Sequence, residues 1–393
     1  MDEEEEPAIP VEFNNLPKDI IFDIFSRIPL KTLYQLRCVC HKWLFYLHQN
    51  PEFRVFYHQK HKFSPILLFS QQITETPSTR LSACSIDGTK ISQISTNFDQ
   101  SLVSILTCNG ILCLISKTNA FLYDPITKRL SNLPTSTRQQ RGFGSSSSST
   151  ISWAFGFSPF RNVFKILHFY TTEKEFDNFH YCQTQELMCE ILTKPGSDLG
   201  LDTRGDENWE NLGKCPFDVL GRKNYAFVDG KFYWFVGEKK FNPDCVKIMS
   251  FDIEIEGFGM NYFPKSCSNR SVECLDLVEI RDCLCLTDRL PWESSMDVWM
   301  MGKENEGFAN LWEKKYRIDL MGIDHHDVRI LGHLIRINGG DCEKKDDGEI
   351  LMKIGGQSFG FYELGNGVYR NLGSEVNLQE WGLQLMLSRK FLL

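Results

Sequence analysis

The sequence predicts a small all-α unit followed by a large all-β domain, the latter a β-propeller of about six blades. Three observations predict this. Apolar residues between 16 and 47 recur at helical spacing. From about residue 64 the apolar runs shorten to strand length, broken by Gly, Pro, Asn and Asp. Strand-bearing blocks then return at intervals of roughly 45 to 65 residues, near the period of four-stranded propeller blades. The expected organisation is an acidic, disordered leader over 1–13, a helical domain over 14–60 and the β domain over 64–393.

Composition permits a large core. Apolar residues make up 42% of 393, and aromatics reach 13%, with 30 Phe. Flat rings pack well on a pleated surface, so that excess favours strands. The formal net charge is −8 and no run of Lys or Arg exceeds a pair, which argues against a nucleic-acid partner. Glu3 to Glu6 give the start the wrong sign for a secretory or transit signal. No apolar stretch approaches the ~18–20 residues that cross a bilayer. The expected address is cytoplasmic and/or nuclear, with no membrane association. The 14 cysteines are then expected as reduced thiols. Cys38-x-Cys40 and Cys283-x-Cys285 lack the repeated C-x-x-C spacing of zinc sites, so neither metal nor other cofactor is expected.

Within the helical unit, Leu16-Pro17 opens a helix with Pro at its first position. Ile20, Ile21, Phe22, Ile24, Phe25 and Ile28 follow. At 100° per residue they cover an arc of about 200°, wider than the stripe one packing partner buries. Pro29 ends this helix, Leu30 to Leu36 form a second, and a third contains Val39, Trp43, Leu44 and Leu47. A unit of about 40 residues cannot cover so many apolar faces alone. Part of the surface must dock on the rest of the chain or on another protein.

The spacing of Leu16-Pro17, Ile20, Ile24, Ile28-Pro29, Leu33, Leu36-Arg37, Val39-Cys40 and Lys42-Trp43-Leu44 resembles the F-box motif over nearly its full length. Cys40 stands where Ser is common, and Phe22 and Phe25 are bulkier than usual. The resemblance implies binding to a Skp-type adaptor, and through it to a cullin scaffold. Leu16, Pro17, Ile20, Ile24, Phe25, Ile28, Pro29, Leu33, Leu36, Val39, Cys40 and Trp43 are the adaptor-binding candidates it implies. Some of them are expected to hold the helices to one another instead, leaving about two thirds for the adaptor. A helix-turn-helix DNA reader fits poorly, since its recognition helix needs exposed basic and amide side chains.

In the β domain, Ile111 to Ile115, Ala120 to Tyr123 and Leu130 read as a three-strand meander entered at Asn109-Gly110. Phe232 to Phe235, Lys247 to Asp252 and a strand at Tyr262-Phe263 form another block. Cys283 to Leu286, Asp297 to Met301 and Leu311-Trp312 form a third. Ile350 to Ile354, Phe359 to Glu363 and Tyr369 form the last. Only Gly339-Gly340 and Gly355-Gly356 supply the Gly doublets a kelch propeller repeats in each blade.

Thr107-Cys108-Asn109-Gly110-Ile111-Leu112-Cys113-Leu114 resembles the opening of the plant F-box-associated domain, a kelch-like β-propeller placed C-terminal to the F-box. Tyr123 to Lys128, Phe155-Gly156-Phe157-Ser158-Pro159 with Phe164 to Leu167, Phe251-Asp252 with Phe258 and Phe263-Pro264, and Val298 to Met301 with Trp312 continue the series in the family's order. The resemblance implies a non-catalytic substrate receptor of an SCF-type ubiquitin ligase, whose β domain binds a target protein of unknown identity.

P-loop, H-E-x-x-H and a strand-linked G-x-G-x-x-G are absent from the sequence. Gly142-Phe143-Gly144 with Ser145 to Ser149 reads as a flexible loop. Asp324-His325-His326-Asp327 could imitate a metal or acid–base site but reads more simply as an exposed turn. The acidic stretches 202–210 and 341–349 read as solvated connections. Two other readings stand beside the receptor. One is a propeller-fold enzyme with carboxylates converging on a central channel; the other is an F-box scaffold that does not lead to degradation.

Overall fold

A computed structural model describes residues 16–28, 30–36, 38–50, 52–53, 56, 66–73, 78–85, 94–98, 102–109, 111–116, 119–124, 129–136, 150–173, 185–195, 208–219, 225–237, 247–267, 270–302, 312–321, 328–334, 348–354, 358–371 and 384–388. The serine run, the Asp324 to Asp327 turn, Pro29 and residues 1–13 lie outside them.

The helical unit holds α1 (Lys18–Ser26), α2 (Leu30–Leu36) and α3 (His41–Leu44), the last continued by a π-helical turn, Phe45–Gln49. Pro17 is the N-cap of α1 rather than its first residue, with φ −55 and ψ 147. Its extended ψ suits a residue that has not yet entered the helix. Asn50 is buried, and its Oδ1 accepts the amides of Glu52 at 2.9 Å and Phe53 at 3.2 Å. That cap turns the chain so that Phe53 enters the core of the unit.

The first sheet contains β1 (Ile66–Ile73), β2 (Ser78–Ser85) and β3 (Ile94–Phe98). The second has β4 (Leu102–Cys108), β5 (Ile111–Ser116), β6 (Ala120–Asp124) and β7 (Arg129–Asn132). The third has β8 (Thr150–Ser158), β9 (Val163–Glu173), β10 (Gln185–Pro195) and β11 (Glu210–Lys214). In the fourth, β12 (Asp218–Val219) and β13 (Ala226–Val228) both pair with β14 (Lys231–Gly237), followed by β15 (Lys247–Asp252) and β16 (Gly257–Asn261). The fifth has β17 (Leu275–Ile280), β18 (Cys283–Leu290), β19 (Ser295–Met301) and β20 (Trp312–Asp319). The sixth has β21 (Val328–Leu334), β22 (Glu349–Ile354), β23 (Ser358–Glu363) and β24 (Tyr369–Asn371). The last strand, β25 (Gln384–Ser388), returns to pair antiparallel with β1.

The inner strands complete a ring. β4 meets β8, β13 meets β17, β17 meets β21, β21 meets β25 and β25 meets β4. The third and fourth sheets join through Tyr225, whose hydroxyl accepts the Phe155 amide at 2.9 Å and lies 3.2 Å from the Phe155 carbonyl. Apolar clusters fill the gaps: Phe155, Phe164 and Ile166 with Cys113 and Leu122 on one side of the third sheet, Leu167 and Phe169 with Trp234 and Phe251 on the other.

The expectation of about six blades needs a correction in how blades are made. Among the described residues, five sheets consist wholly of strands that follow one another in the chain; the first mixes three early strands with β25. The reason is closure, because a β1 edge left bare would expose a row of unpaired backbone groups.

Because each central strand has packed sheets on both faces, alternation is lost. All six residues of β5 are buried, which the continuous run Ile111 to Ser116 anticipates. Tight hairpins sit where φ turns positive, at Asn109 (φ 48), at Asp229 (φ 47) with Gly230 (φ 74), and at Arg281 (φ 54) with Asp282 (φ 58).

Gly156 marks a close approach of two sheets. A Cβ there would stand 2.6 Å from Phe232 Cζ and 2.7 Å from Phe227 Cε2. Gly156→Ala is therefore expected to lower stability by about 1–3 kcal/mol, read as a lower melting temperature of the purified chain.

Candidate functional site

Helix α1 has two apolar faces. Ile21, Phe22 and Phe25 are buried with Leu33, Leu47 and Phe53 in one cluster. Phe22 packs on Phe53 at a ring separation of 5.1 Å, and Phe25 meets Trp43 edge-on at 5.2 Å. Ile20 and Ile24 stay exposed at 47% and 37%. At 100° per residue this exposed pair stands about 125° from the centre of the buried side. Val39, just before α3, is exposed at 59%, flanked by exposed Cys38 and Cys40. Exposed Pro17 precedes α1, while Leu16, Ile28, Leu36 and Trp43 are half-buried against the internal cluster.

Lys18 is held by Glu52 and stands 5.4 Å above the Phe22 ring, tying the start of α1 to the end of the unit. Asp23 accepts Arg27 one turn on at 2.7 Å. Neither polar contact covers Ile20 or Ile24. Burying what remains exposed of each of these aliphatic side chains would stabilise a complex by about 1 kcal/mol.

The propeller contains buried polar groups, most of them committed to partners. Lys165 is bonded to Glu256 of the neighbouring sheet, and His168 Nδ1 lies 2.8 Å from Glu190 while its ring stacks on Trp153 at 3.9 Å. Burial pushes the Cys113 thiol up to about 12 and raises the Cys189 thiol, so neither is a nucleophile near neutrality. Tyr225 is also raised by burial, and it serves as the clasp between sheets. Among the described residues no three His, Cys, Asp or Glu gather in a group that could hold a metal ion. None of their helices is long and apolar enough to cross a membrane.

Two family models match the chain in this order. Residues 13–50 match the F-box-like model, and residues 54–333 match that of the F-box associated beta propeller domain. The chain belongs to the F-box-associated β-propeller family. Curated relatives carry the F-box name. F-box protein At3g07870 of Arabidopsis thaliana is 26% identical over 320 residues, covering 77% of this chain and 72% of its own length. F-box protein CPR1 of the same plant is 23% identical over 310 residues, covering 77% and 73%. Among solved structures, the β-propeller domain of the Trilobed protease from Pyrococcus furiosus aligns at 10% identity with a TM-score of 0.39, covering 80% and 79%.

For this F-box chain, the adaptor candidates thus divide. Pro17, Ile20, Ile24, Val39 and Cys40 are exposed; Leu16, Ile28, Leu36 and Trp43 are half-buried. Phe25 and Leu33, at 1% and 0% exposure, are used up in internal packing and present no surface in this structure. Sequence reasoning missed two participants. Phe53 belongs to the core and Phe45, 48% exposed, adds apolar surface beside Tyr46. The Asn50-x-x-Phe53 pattern, a cap ahead of an aromatic, was the available signal for the first.

In the F-box-associated domain one carboxyl is uncomfortable. Burial raises the Asp288 pKa from 3.8; the Arg270 guanidinium at 3.1 Å opposes this and Asp297 on the next strand adds to it. A carboxyl whose folded-state pKa is raised stabilises the fold fully below its unfolded value, and that contribution is lost as pH rises through the folded value. Asp288→Asn is expected to flatten this fall, so the variant gains on the wild type between acid and neutral pH in thermal melts. An unchanged pH profile would contradict the assignment.

Proposed function

We propose that the chain is the substrate-receptor subunit of an SCF-type cullin ubiquitin ligase. Its F-box binds a Skp-type adaptor that bridges to a cullin scaffold, and its β domain holds a target protein for ubiquitin transfer. The observation that carries this reading is the exposed Ile20, Ile24 and Val39 on a unit whose own core is already filled by Ile21, Phe22, Phe25, Leu33, Leu47 and Phe53. Three aliphatic side chains left in water beside a completed core are a surface awaiting a partner.

The contribution is proximity rather than covalent chemistry. Holding an acceptor lysine beside a charged conjugating enzyme raises the effective concentration of the reactants. A ring of sheets bearing loops at both ends suits the second task, since loops vary in sequence while the sheets hold their places. The match of family models in the order F-box, then F-box-associated domain, supports the division of labour.

Binding of the purified chain to a purified Skp-type adaptor tests the reading. Wild type should bind tightly, and Ile20→Asp/Ile24→Asp should lose binding by several kcal/mol, because a carboxylate would have to be desolvated in an apolar contact. Its melting temperature should stay near that of wild type, since both positions are exposed. Phe25→Ala should instead lower stability by about 3–5 kcal/mol. Failure of the folded wild type to bind would overturn the assignment.

A further inference from the structure

Free thiols are among the most buried groups in folded chains, and this chain departs from that rule in one place. Among the cysteines whose side chains the structure describes, only Cys38 and Cys40 are exposed; the others are buried or half-buried in the propeller. The two exposed thiols flank Val39, itself 59% exposed, in the short stretch between α2 and α3. Both therefore stand on the face that the receptor reading gives to the adaptor.

The backbone between the two helices bends and then extends. The Cys38 and Val39 amides donate to the Gln35 and Leu36 carbonyls, each at 3.1 Å, so the chain leaves α2 in a turn. Cys40 is extended, with φ −159 and ψ 164, and its carbonyl accepts the Leu44 amide at 3.0 Å as α3 begins. Trp43, in that same first turn, meets Phe25 edge-on at 5.2 Å. Consecutive Cα atoms are about 3.8 Å apart, so residues two apart are separated by no more than about 7.6 Å. A bend at the intervening residue brings such a pair within the roughly 4.4–6.8 Å span of a disulfide. A solvent-accessible thiol beside a second one that can resolve it is the arrangement of redox-sensing cysteines.

We propose that Cys38 and Cys40 form a reversible thiol–disulfide switch, closed by a peroxide, that governs the adaptor contact. This rests on the substrate-receptor reading and adds a regulation to it. One thiolate attacks the peroxide O–O bond and keeps one oxygen as sulfenic acid, while the other oxygen leaves as water with that thiol's proton. The second thiolate attacks the sulfenic sulfur, and the hydroxyl leaves as water with the second proton. Two electrons pass from the sulfurs to the peroxide. Closure over a single residue draws Cys40 out of its extended conformation, withdraws Val39 and loosens the first hydrogen bond of α3. A ring this small is strained, and strained disulfides are readily reduced, so thiols reopen the switch.

The test treats the purified full chain with hydrogen peroxide, removes the peroxide, and then titrates a purified Skp-type adaptor. Peptide mapping by mass spectrometry should find a Cys38–Cys40 link, and adaptor affinity should fall at least tenfold. Dithiothreitol, which reduces disulfides but not oxidised methionine, should restore it. Cys38→Ser, which lacks the second thiol, should bind the adaptor within about twofold of the reduced wild type before and after peroxide. Cys283→Ser, altered at a half-buried thiol of the propeller, should respond as the wild type does. Hydrogen exchange of the Leu44 amide, read without adaptor, should quicken on oxidation. Absence of the link, a link with unchanged affinity, or an equal loss of binding in Cys38→Ser would overturn the proposal. If the reduced chain itself fails to bind the adaptor, the receptor reading falls. The mapped link and the Leu44 exchange then decide the switch by themselves, and failure of either overturns it.

Discussion

The propeller depends on one pairing, β25 against β1, in which Leu385 to Ser388 lie opposite Phe69 to Ile66. Every other sheet can form from neighbouring chain, but the ring exists only when its two ends meet. Through that strand the sixth sheet reaches the second, since β21 and β4 both touch β25. Closure removes a bare edge and lets each sheet pack between two others. That two-sided packing explains buried strands such as β5 and the aromatic fill of the gaps, where Phe169 meets Trp234 at 5.1 Å and Phe155 meets Phe164 at 5.3 Å.

The helical unit follows a different logic. It is too small to close a ring or to enclose all its apolar side chains, so it completes one core and leaves a second face outside. The division runs through α1 itself, between Phe25 at 1% exposure and the adjacent Ile24 at 37%. Neighbouring residues on one helix thus differ, Phe25 serving stability and Ile24 left open for the adaptor contact proposed above. Substitution can address either role, which makes the functional reading testable without unfolding the protein.

Much of the architecture was legible because its causes are local. Pro, Gly, Asn and Asp punctuate the strands, and Asp229-Gly230 turns where its sequence says it should. What escaped was set by distant partners. The local pattern gives no strand at β4 (Leu102–Cys108) ahead of the Asn109 turn, and it points to Tyr262-Phe263 for the outer strand of the fourth sheet, which the structure has at β16, Gly257–Asn261. Two glycines argue against a strand by propensity, yet Gly257–Asn261 pairs along β15, with Gly259 opposite Ser250. The stretch 202–210 looks solvated by composition, but Trp209 near its end is buried and its Nε1–H reaches the Pro134 carbonyl at 2.8 Å. β25 carries no signal of its closing role, because that role exists only in the finished ring. On α1 the residues were named but not sorted: one wide apolar arc looks the same whether its halves face inward or outward.

The measurement that bears most directly on the two-sided helix is site-specific photocrosslinking. A benzophenone side chain placed at Ile24, and separately at the exposed Trp292 of the propeller, is irradiated with a purified Skp-type adaptor. The account predicts a crosslink to the adaptor from position 24 and none from position 292. A crosslink from 292 with none from 24, in a complex shown to have formed, would contradict it and move the adaptor contact off the helical unit.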